Sequence, residues 1–140
     1  MSAVICDASV VVKLLVPEEH SDRANALAQS SNLIAPEIIF AEVGNVLWAR
    51  VRSGNFDLEA GQILFDRLNS FELESRPVHP LVARALAIAV ELDHPIYDCL
   101  YLALAERLAV PLVTEDARFV SAIRRGKLFT AEIKLLSQTG

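Results

Sequence analysis

One helical stretch constrains the fold more than any other part of this sequence. Residues 95–106 begin with a proline, and every residue from Cys99 to Ala105 is apolar. Pro95 suits the start of a helix because its ring fixes its own φ and disfavours helix at the residue before it. A helix that is apolar on every side has to be covered on every side. We therefore predict a helix that is buried nearly all round, with Asp98 in its first turn.

Short apolar runs alternate with helical patterns along the chain. The predicted strands are residues 3–6, 32–35, 71–75, 110–114 and 133–135. The 71–75 run alternates as an edge strand does, whereas the others resemble buried parallel strands. This alternation predicts an α/β fold, a short parallel doubly wound sheet flanked by helices, in one domain covering residues 1–140.

Capping residues mark where the predicted helices begin and end. Ser9, Ser21 and Asp57 are the expected N-caps of three helices, because their side chains accept hydrogen bonds from free backbone N–H groups. Gly54 is the expected left-handed residue that ends the helix opened by Pro36. Further helices are predicted to start at Pro80, Pro95 and Ala117.

The composition excludes some kinds of protein. The 140 residues carry a net charge of -5, with 53% hydrophobic residues, which suits a globular chain that buries a core without disulfides. There is no basic tail, so we expect no direct DNA binding by this chain. Acidic residues interrupt the apolar stretches and no signal peptide is evident, which predicts no membrane segment and a cytoplasmic location. Cys6 and Cys99 are expected to be small buried hydrophobes.

Four acids occupy similar positions at the edge of the predicted core. Asp7 and Asp116 follow the ends of strands, the edge at which ligands bind in open α/β sheets. Asp98 and Glu42, each near a helix start, are placed to reach the same crevice. Carboxylates gathered there repel one another unless a cation lies between them. Because the ligands are oxygens alone, the expected ion is Mg²⁺, with Mn²⁺ as a substitute, in a site that hydrolyses phosphodiesters.

Each of these residues also has a purely structural interpretation. Asp7 and Asp116 suit helix caps, and Glu42 suits the solvated flank of an amphipathic helix. His20, His79 and His94 lie in turns without shared spacing, which favours loop residues over ligands or bases. Trp48 is expected in the core or a dimer contact rather than as a base-stacking platform. Six basic residues are considered for a phosphate-binding rim: Lys13, Arg50, Arg118, Arg124, Arg125 and Lys127. For all of them except Arg118, a place on a solvated face is favoured.

Four segments that contain these acids occur in an order typical of one protein family. They are Asp7-Ala8-Ser9-Val10, Ala41-Glu42-Val43-Gly44-Asn45-Val46-Leu47, His94-Pro95-Ile96-Tyr97-Asp98-Cys99-Leu100-Tyr101-Leu102-Ala103-Leu104-Ala105 and Leu112-Val113-Thr114-Glu115-Asp116-Ala117-Arg118-Phe119. The ordered set resembles PIN-domain ribonucleases, specifically the toxins of VapBC-type toxin–antitoxin pairs. The resemblance covers essentially the whole chain; its departure is the weakly patterned tail after Gly126.

This resemblance implies a Mg²⁺-dependent endoribonuclease with a PIN-like fold that arrests translation by cutting RNA. The catalytic quartet would be Asp7, Glu42, Asp98 and Asp116, with Asp7 and Asp98 as the family's usual magnesium ligands. We predict Asp116 as a further metal ligand. Thr114 matches the family's hydroxyl beside the last acid and, with Arg118, is assigned to substrate binding. The implied partners are RNA, a cognate antitoxin whose C-terminal segment lies over the acidic site, and a second copy of the chain.

Other classes of protein fit the sequence less well. A phosphoacceptor receiver domain needs an acidic pair after the first strand and an Asp after a middle strand, and residues 32–36 contain no Asp. A haloacid-dehalogenase-type phosphatase needs a second Asp where Ser9 stands. A catalytically silent PIN-like binding module stays as the alternative, and the presence of all four acids argues against it.

Overall fold

A computed structural model describes residues 1–126 and 132–139 of the chain. Its strands are β1 (Ser2–Cys6), β2 (Ser31–Pro36), β3 (Leu73–Arg76), β4 (Leu112–Thr114) and β5 (Ile133–Leu135). They form one parallel sheet in the order β3-β2-β1-β4-β5. The predicted α/β fold with a short parallel sheet is confirmed, and β3 lies at an edge as expected.

Helices follow most of the strands. The α-helices of the described residues are α1 (Ala8–Leu15), α2 (Ser21–Ser30), α3 (Ile38–Arg52), α4 (Leu58–Asp66), α5 (Val82–Leu92), α6 (Ile96–Leu108) and α7 (Ala117–Arg125). Short 3₁₀ turns lie at Arg67–Ser70, His79–Leu81 and Leu136–Gln138. None of these helices is long and apolar enough to cross a membrane.

The strand order places a switch point between β1 and β4. From β1 the chain adds β2 and β3 on one side, then returns to add β4 and β5 on the other. The register pairs Ile5 with Leu112 and Cys6 with Val113, so both strands end close together. In such sheets the crevice at the switch point, beyond the carboxyl ends of the strands, is where ligands bind. Asp7 follows β1 at this place, and Asp116 lies two residues after β4.

Helix α6 is the buried helix that the sequence predicts. Pro95 is its N-cap, with φ −55° and ψ 145°. Every residue from Cys99 to Ala105 is at most 3% exposed. The helix packs against α5 on one side and against β1, β2 and β4 on the other. Its first turn therefore has a fixed position relative to the ends of the central strands.

Two of the predicted helix caps are wrong. Asp7, not Ser9, is the N-cap of α1, because Asp7 is already extended (φ −97°, ψ 179°) and its side chain reaches Val10 N. His20, not Ser21, precedes α2 and has a left-handed φ of 67°. The Ser21 hydroxyl instead accepts a hydrogen bond from Glu18 N at 2.9 Å. The remaining cap predictions are confirmed: Asp57 caps α4 through Ala60 N, and Gly54 has a φ of 83°.

Helices α3 and α4 leave an apolar groove of about 510 Å³ between them. Trp48 lines this groove and is 56% exposed, so it is not in the core, and the other expected place, a dimer contact, stays a prediction. Arg52 lies over the indole ring, with its guanidinium carbon 5.4 Å from the ring centroid. Gly61 allows the close approach of the two helices, because a Cβ there would meet Val51 Cγ2 at 3.3 Å.

Candidate active site

Asp7 is the acid most firmly held at the switch point. Ser9 Oγ donates a hydrogen bond of 2.5 Å to its Oδ1, and Thr114 Oγ1 donates to its Oδ2. Ser9 Oγ also accepts from Glu115 N at 3.1 Å. These contacts join the loop after β1 to the loop after β4. The carboxylate therefore has a fixed orientation set by both central strands.

The environment of Asp7 favours its neutral form. The pKa of this carboxyl is raised from 3.8 to about 6, chiefly by burial and to a smaller extent by the charge of Asp98. Hydrogen bonds from Ser9, Thr114 and the Val10 backbone act in the opposite direction. A carboxylate whose pKa is raised by burial and by a second acid would gain from a nearby cation, which would offset both effects.

Glu42 projects from α3 toward the central helix. The hydroxyl of Tyr101, a residue only 1% exposed, donates a 2.5 Å hydrogen bond to Glu42 Oε1. Burial raises the pKa of Glu42, the hydrogen bond from Tyr101 lowers it, and the charge of Asp98 raises it. The Tyr101 pKa is raised by burial and by the Glu42 contact, so the phenol remains a donor. Glu42 is therefore held against α6 by Tyr101 and does not stand on a freely solvated flank, while its catalytic role stays a prediction.

Asp98 stands in the first turn of α6 and contacts a histidine. His94 Nε2 lies 2.7 Å from Asp98 Oδ2, and the two side chains are 23% and 37% exposed. The sequence interpretation of His94 as a loop residue is incomplete, since it lies in the loop but its ring reaches a site acid. The signal available in the sequence was the four-residue spacing across Pro95, which turns the loop back over the first helical turn.

Asp116 is the N-cap of α7, as its structural interpretation predicted. Its Oδ1 accepts hydrogen bonds from Arg118 N at 3.0 Å and Phe119 N at 3.1 Å. Asp116 N donates to Thr114 Oγ1 at 3.1 Å, which links this residue to Asp7 through the threonine. Capping leaves Oδ2 without a hydrogen-bond partner among the described residues. Its assignment to catalysis and metal binding stays a prediction.

Thr114 forms hydrogen bonds with both Asp7 and Asp116. It is fully buried, and its hydroxyl both donates to Asp7 and accepts from Asp116 N. A contact of this hydroxyl with substrate therefore stays a prediction. Arg118 is exposed at the start of α7, where its predicted contact with substrate is sterically open.

The other basic residues considered for a phosphate rim have different surroundings. Lys13 and Arg50 pair with Glu18 at 3.0 and 2.6 Å, and Lys13 is also 3.9 Å from Glu115. Ion pairs of this kind reduce the positive charge available to RNA. Arg124 and Arg125 are exposed on α7. Lys127 lies outside the described residues.

The acids supply the oxygen ligands that a hard cation prefers, and water would have to complete its coordination. Asp7, Glu42 and Asp98 are electrostatically coupled, because the charge of Asp98 raises the pKa of both others. Glu42 and Asp98 each use one oxygen for a protein hydrogen bond, and the other oxygen has no such partner within the described residues. No three His, Cys, Asp or Glu side chains of residues 1–126 and 132–139 are grouped to hold a metal ion. Mg²⁺ suits this arrangement because it keeps several waters and needs few carboxylates.

Comparison with known proteins gives the family. The family model for the PIN domain matches residues 4–124. Ribonuclease VapC3 of Pyrobaculum aerophilum is 32% identical over 116 residues, which cover 80% of this chain and 88% of the relative. Ribonuclease VapC1 of Mycobacterium tuberculosis is 33% identical over 125 residues, covering 87% and 92%.

Solved structures give the same fold. The crystal structure of VapBC2 from Rickettsia felis, bound to a DNA fragment from their promoter, contains a chain that superposes with a TM-score of 0.66. The match has 16% sequence identity and covers 95% of this chain and 98% of that one. Together, the family model, the relatives and the strand order show that this chain belongs to the PIN domain family.

Proposed function

We propose that this chain is a Mg²⁺-dependent endoribonuclease, the toxin of a type II toxin–antitoxin pair that cuts RNA and so inhibits translation. The observation that carries the proposal is the coupling of Asp7, Glu42 and Asp98 at the switch point of the sheet. The relatives named Ribonuclease VapC support the reaction class.

Asp7 and Asp98 are the residues that would hold the ion, with Asp116 as a further proposed ligand. When bound, Mg²⁺ supplies the charge that polarises a phosphoryl oxygen and activates water. Ser9 and Thr114 fix the direction of the Asp7 carboxylate, so the fold rather than the ion orients it. This arrangement lowers the cost of ordering the ligands when the site fills.

Glu42 is the proposed acceptor for the proton of the attacking water. Tyr101 occupies its Oε1, so Oε2 is the atom that would accept the proton. A raised pKa suits this role, because a base whose pKa is nearer to neutral accepts a proton more readily. A groove of about 430 Å³ opens beside Glu42 and is lined by Asn45 and the exposed Tyr97. This groove is the proposed path by which a single RNA strand reaches Glu42.

The proposed protein partners are a cognate antitoxin and a second copy of the chain in a homodimer, in the cytoplasm. The VapBC2 complex, whose toxin-like fold this chain shares, supports the antitoxin. An apolar stripe on α5 supports the dimer: Val82, Leu86 and Val90 are 40%, 55% and 75% exposed at four-residue spacing. A stripe of this kind on the surface of a helix is typical of a contact with another protein.

The test combines RNA cleavage with translation. Purified protein is incubated with single-stranded RNA in Mg²⁺, in Mn²⁺ and in EDTA, and then added to a cell-free translation reaction. We expect cleavage with either ion, none in EDTA, and a halt in translation that follows the loss of intact RNA. Binding of RNA without cleavage under every condition would refute the proposal in favour of a silent binding module.

A further inference from the structure

His94 is placed by the backbone on both of its sides. Asp93 ends α5 in the left-handed region, with a φ of 50°. His94 N then donates a 3.0 Å hydrogen bond to Ala89 O. Pro95 follows in an extended conformation and begins α6. The histidine is therefore held at the junction of two helices, with its ring directed over the first turn of α6.

The ring itself is held between two side chains. One face packs near Phe119, with 4.9 Å between the ring centroids and 32° between the ring planes. Phe119 is 2% exposed and belongs to α7, the helix that Asp116 caps. On its other side His94 Nε2 is 2.7 Å from Asp98 Oδ2. This distance is typical of a hydrogen bond to a charged carboxylate, which the Nε2–H tautomer would donate.

The contact determines which oxygen of Asp98 is available. With Oδ2 bound to His94, Oδ1 has no hydrogen-bond partner within residues 1–126 and 132–139. A carboxylate that is 37% exposed and not held would rotate among several directions. The His94 contact reduces this freedom and leaves one oxygen free in a fixed direction. Without His94, a cation would have to remove this rotational freedom of the Asp98 carboxylate when it binds.

Fold stability does not explain the pair. Both side chains are partly exposed, and exposed pairs four residues apart contribute little to stability. The histidine ring also contacts Phe119, and this ring contact is separate from the hydrogen bond to Asp98. We therefore interpret the hydrogen bond as orienting Asp98 rather than as stabilising the helix.

We propose that His94 is a positioning residue, which binds Oδ2 of Asp98 and presents Oδ1 to the divalent cation. The inference rests on the proposed function, since it takes Asp98 as a ligand of that cation. Residues that hydrogen-bond to metal ligands commonly change metal affinity by about 10–100-fold when they are removed. Because His94 would act by orienting Asp98, its removal should weaken cation binding even in the absence of RNA.

Two substitutions separate the hydrogen bond from the ring contact. His94→Phe keeps an aromatic ring beside Phe119 and removes the donor. His94→Gln removes the ring and keeps a side-chain N–H at a similar distance from the backbone. His79→Gln is the matched control, because His79 is exposed and its side chain makes no polar contact within the described residues. Binding of Mn²⁺ alone is measured from the free-ion signal in electron paramagnetic resonance, and melting temperatures are measured in EDTA.

We expect His94→Phe to bind Mn²⁺ about tenfold more weakly than wild type, with a melting temperature in EDTA close to that of wild type. His94→Gln should recover most of the affinity, and His79→Gln should match wild type. The inference is overturned if His94→Phe binds Mn²⁺ as tightly as wild type. It is also overturned if Phe and Gln weaken binding equally, because retaining a side-chain N–H would then preserve no affinity.

The same experiment separates this inference from the proposed function. If wild type itself binds no Mn²⁺, the metal site of the proposed function is wrong, and the role of His94 is wrong with it. If wild type binds Mn²⁺ and cuts RNA while His94→Phe is unchanged in both, only the role of His94 is wrong. Loss of RNA cleavage in His94→Phe that excess Mn²⁺ restores would support the positioning role independently.

Discussion

Replacing Asp7 with asparagine should stabilise the metal-free protein, and only above a defined pH. Asp7 is a partly buried carboxyl whose pKa is raised to about 6, chiefly by burial and also by the charge of Asp98. Asparagine has nearly the same shape and keeps an oxygen that accepts hydrogen bonds from Ser9 and Val10, but its amide nitrogen cannot accept the hydrogen bond that Thr114 donates to Oδ2. It cannot ionise, so the cost of holding a charge at this place disappears.

The direction of the pKa shift determines how the stability contribution of Asp7 changes with pH. Because the folded state favours the neutral carboxyl, the stability that this group contributes is fully present below about pH 4. It is lost as the pH rises through about 6, the value in the folded protein. A rise from 3.8 to about 6 corresponds to about 3 kcal/mol at about 1.36 kcal/mol per pH unit. Asp7 keeps some contact with water, so we expect a difference of about 2 kcal/mol after screening.

Urea unfolding in EDTA at intervals from pH 4 to pH 8 measures this difference. Asp7→Asn should gain stability relative to wild type by about 2 kcal/mol between pH 4 and pH 8. Asp57→Asn, at the exposed N-cap of α4, is the matched control for replacing a capping carboxylate with an amide. A change in hydrogen bonding adds an offset that does not depend on pH. A difference constant across the whole range would therefore refute the argument from burial and charge.

Three further substitutions test contacts around the site and the dimer. Tyr101→Phe removes the hydrogen-bond donor to Glu42 and should lower the free energy of unfolding in urea by about 1–2 kcal/mol at pH 7. The loss should be smaller at pH 4, because the raised pKa of Glu42 favours its protonated form there. An equal loss at pH 4 and pH 7 would contradict a hydrogen bond to the charged carboxylate. Thr114→Val should cost about 2 kcal/mol because it leaves Asp116 N without its partner, whereas Thr114→Ser should retain most of the stability. Equal losses for Val and Ser would indicate packing instead. Leu86→Glu should convert a dimer into a monomer in light scattering, and an unchanged mass would place the dimer contact elsewhere.

The parts of the fold that were predictable from sequence depend on local patterns. The short apolar strands and the helix after Pro95 follow from hydrophobic periodicity, and both are found at the expected places. The switch point follows from strand order, which the alternation of strands and helices suggests but does not specify. The two wrong caps show the limit of this reasoning. Ser9 and Ser21 are good capping residues, yet their hydroxyls serve Asp7 and Glu18 instead.

The positions of the four acids relative to the strands and helices were predictable from sequence, whereas the residues that hold these acids were not. Carboxylates at strand ends are visible in a sequence, because their position relative to apolar runs is local information. The bond from Tyr101 to Glu42 joins residues far apart in the chain, and Tyr101 looks like any other apolar core residue. Only the core half of the Trp48 prediction was wrong: its neighbours Val46 and Leu47 are apolar, but the groove beside Trp48 exposes its ring, which leaves the predicted dimer contact open.

The central claim is that carboxylates at the switch point bind a cation and cut RNA. The most direct measurement is cleavage of single-stranded RNA by wild type, Asp98→Asn and Asp57→Asn side by side, in Mg²⁺ and in EDTA, with melting temperatures for all three. We expect a folded Asp98→Asn that does not cut, while Asp57→Asn cuts as wild type does and EDTA stops both. Cleavage by Asp98→Asn at the wild-type rate would contradict it.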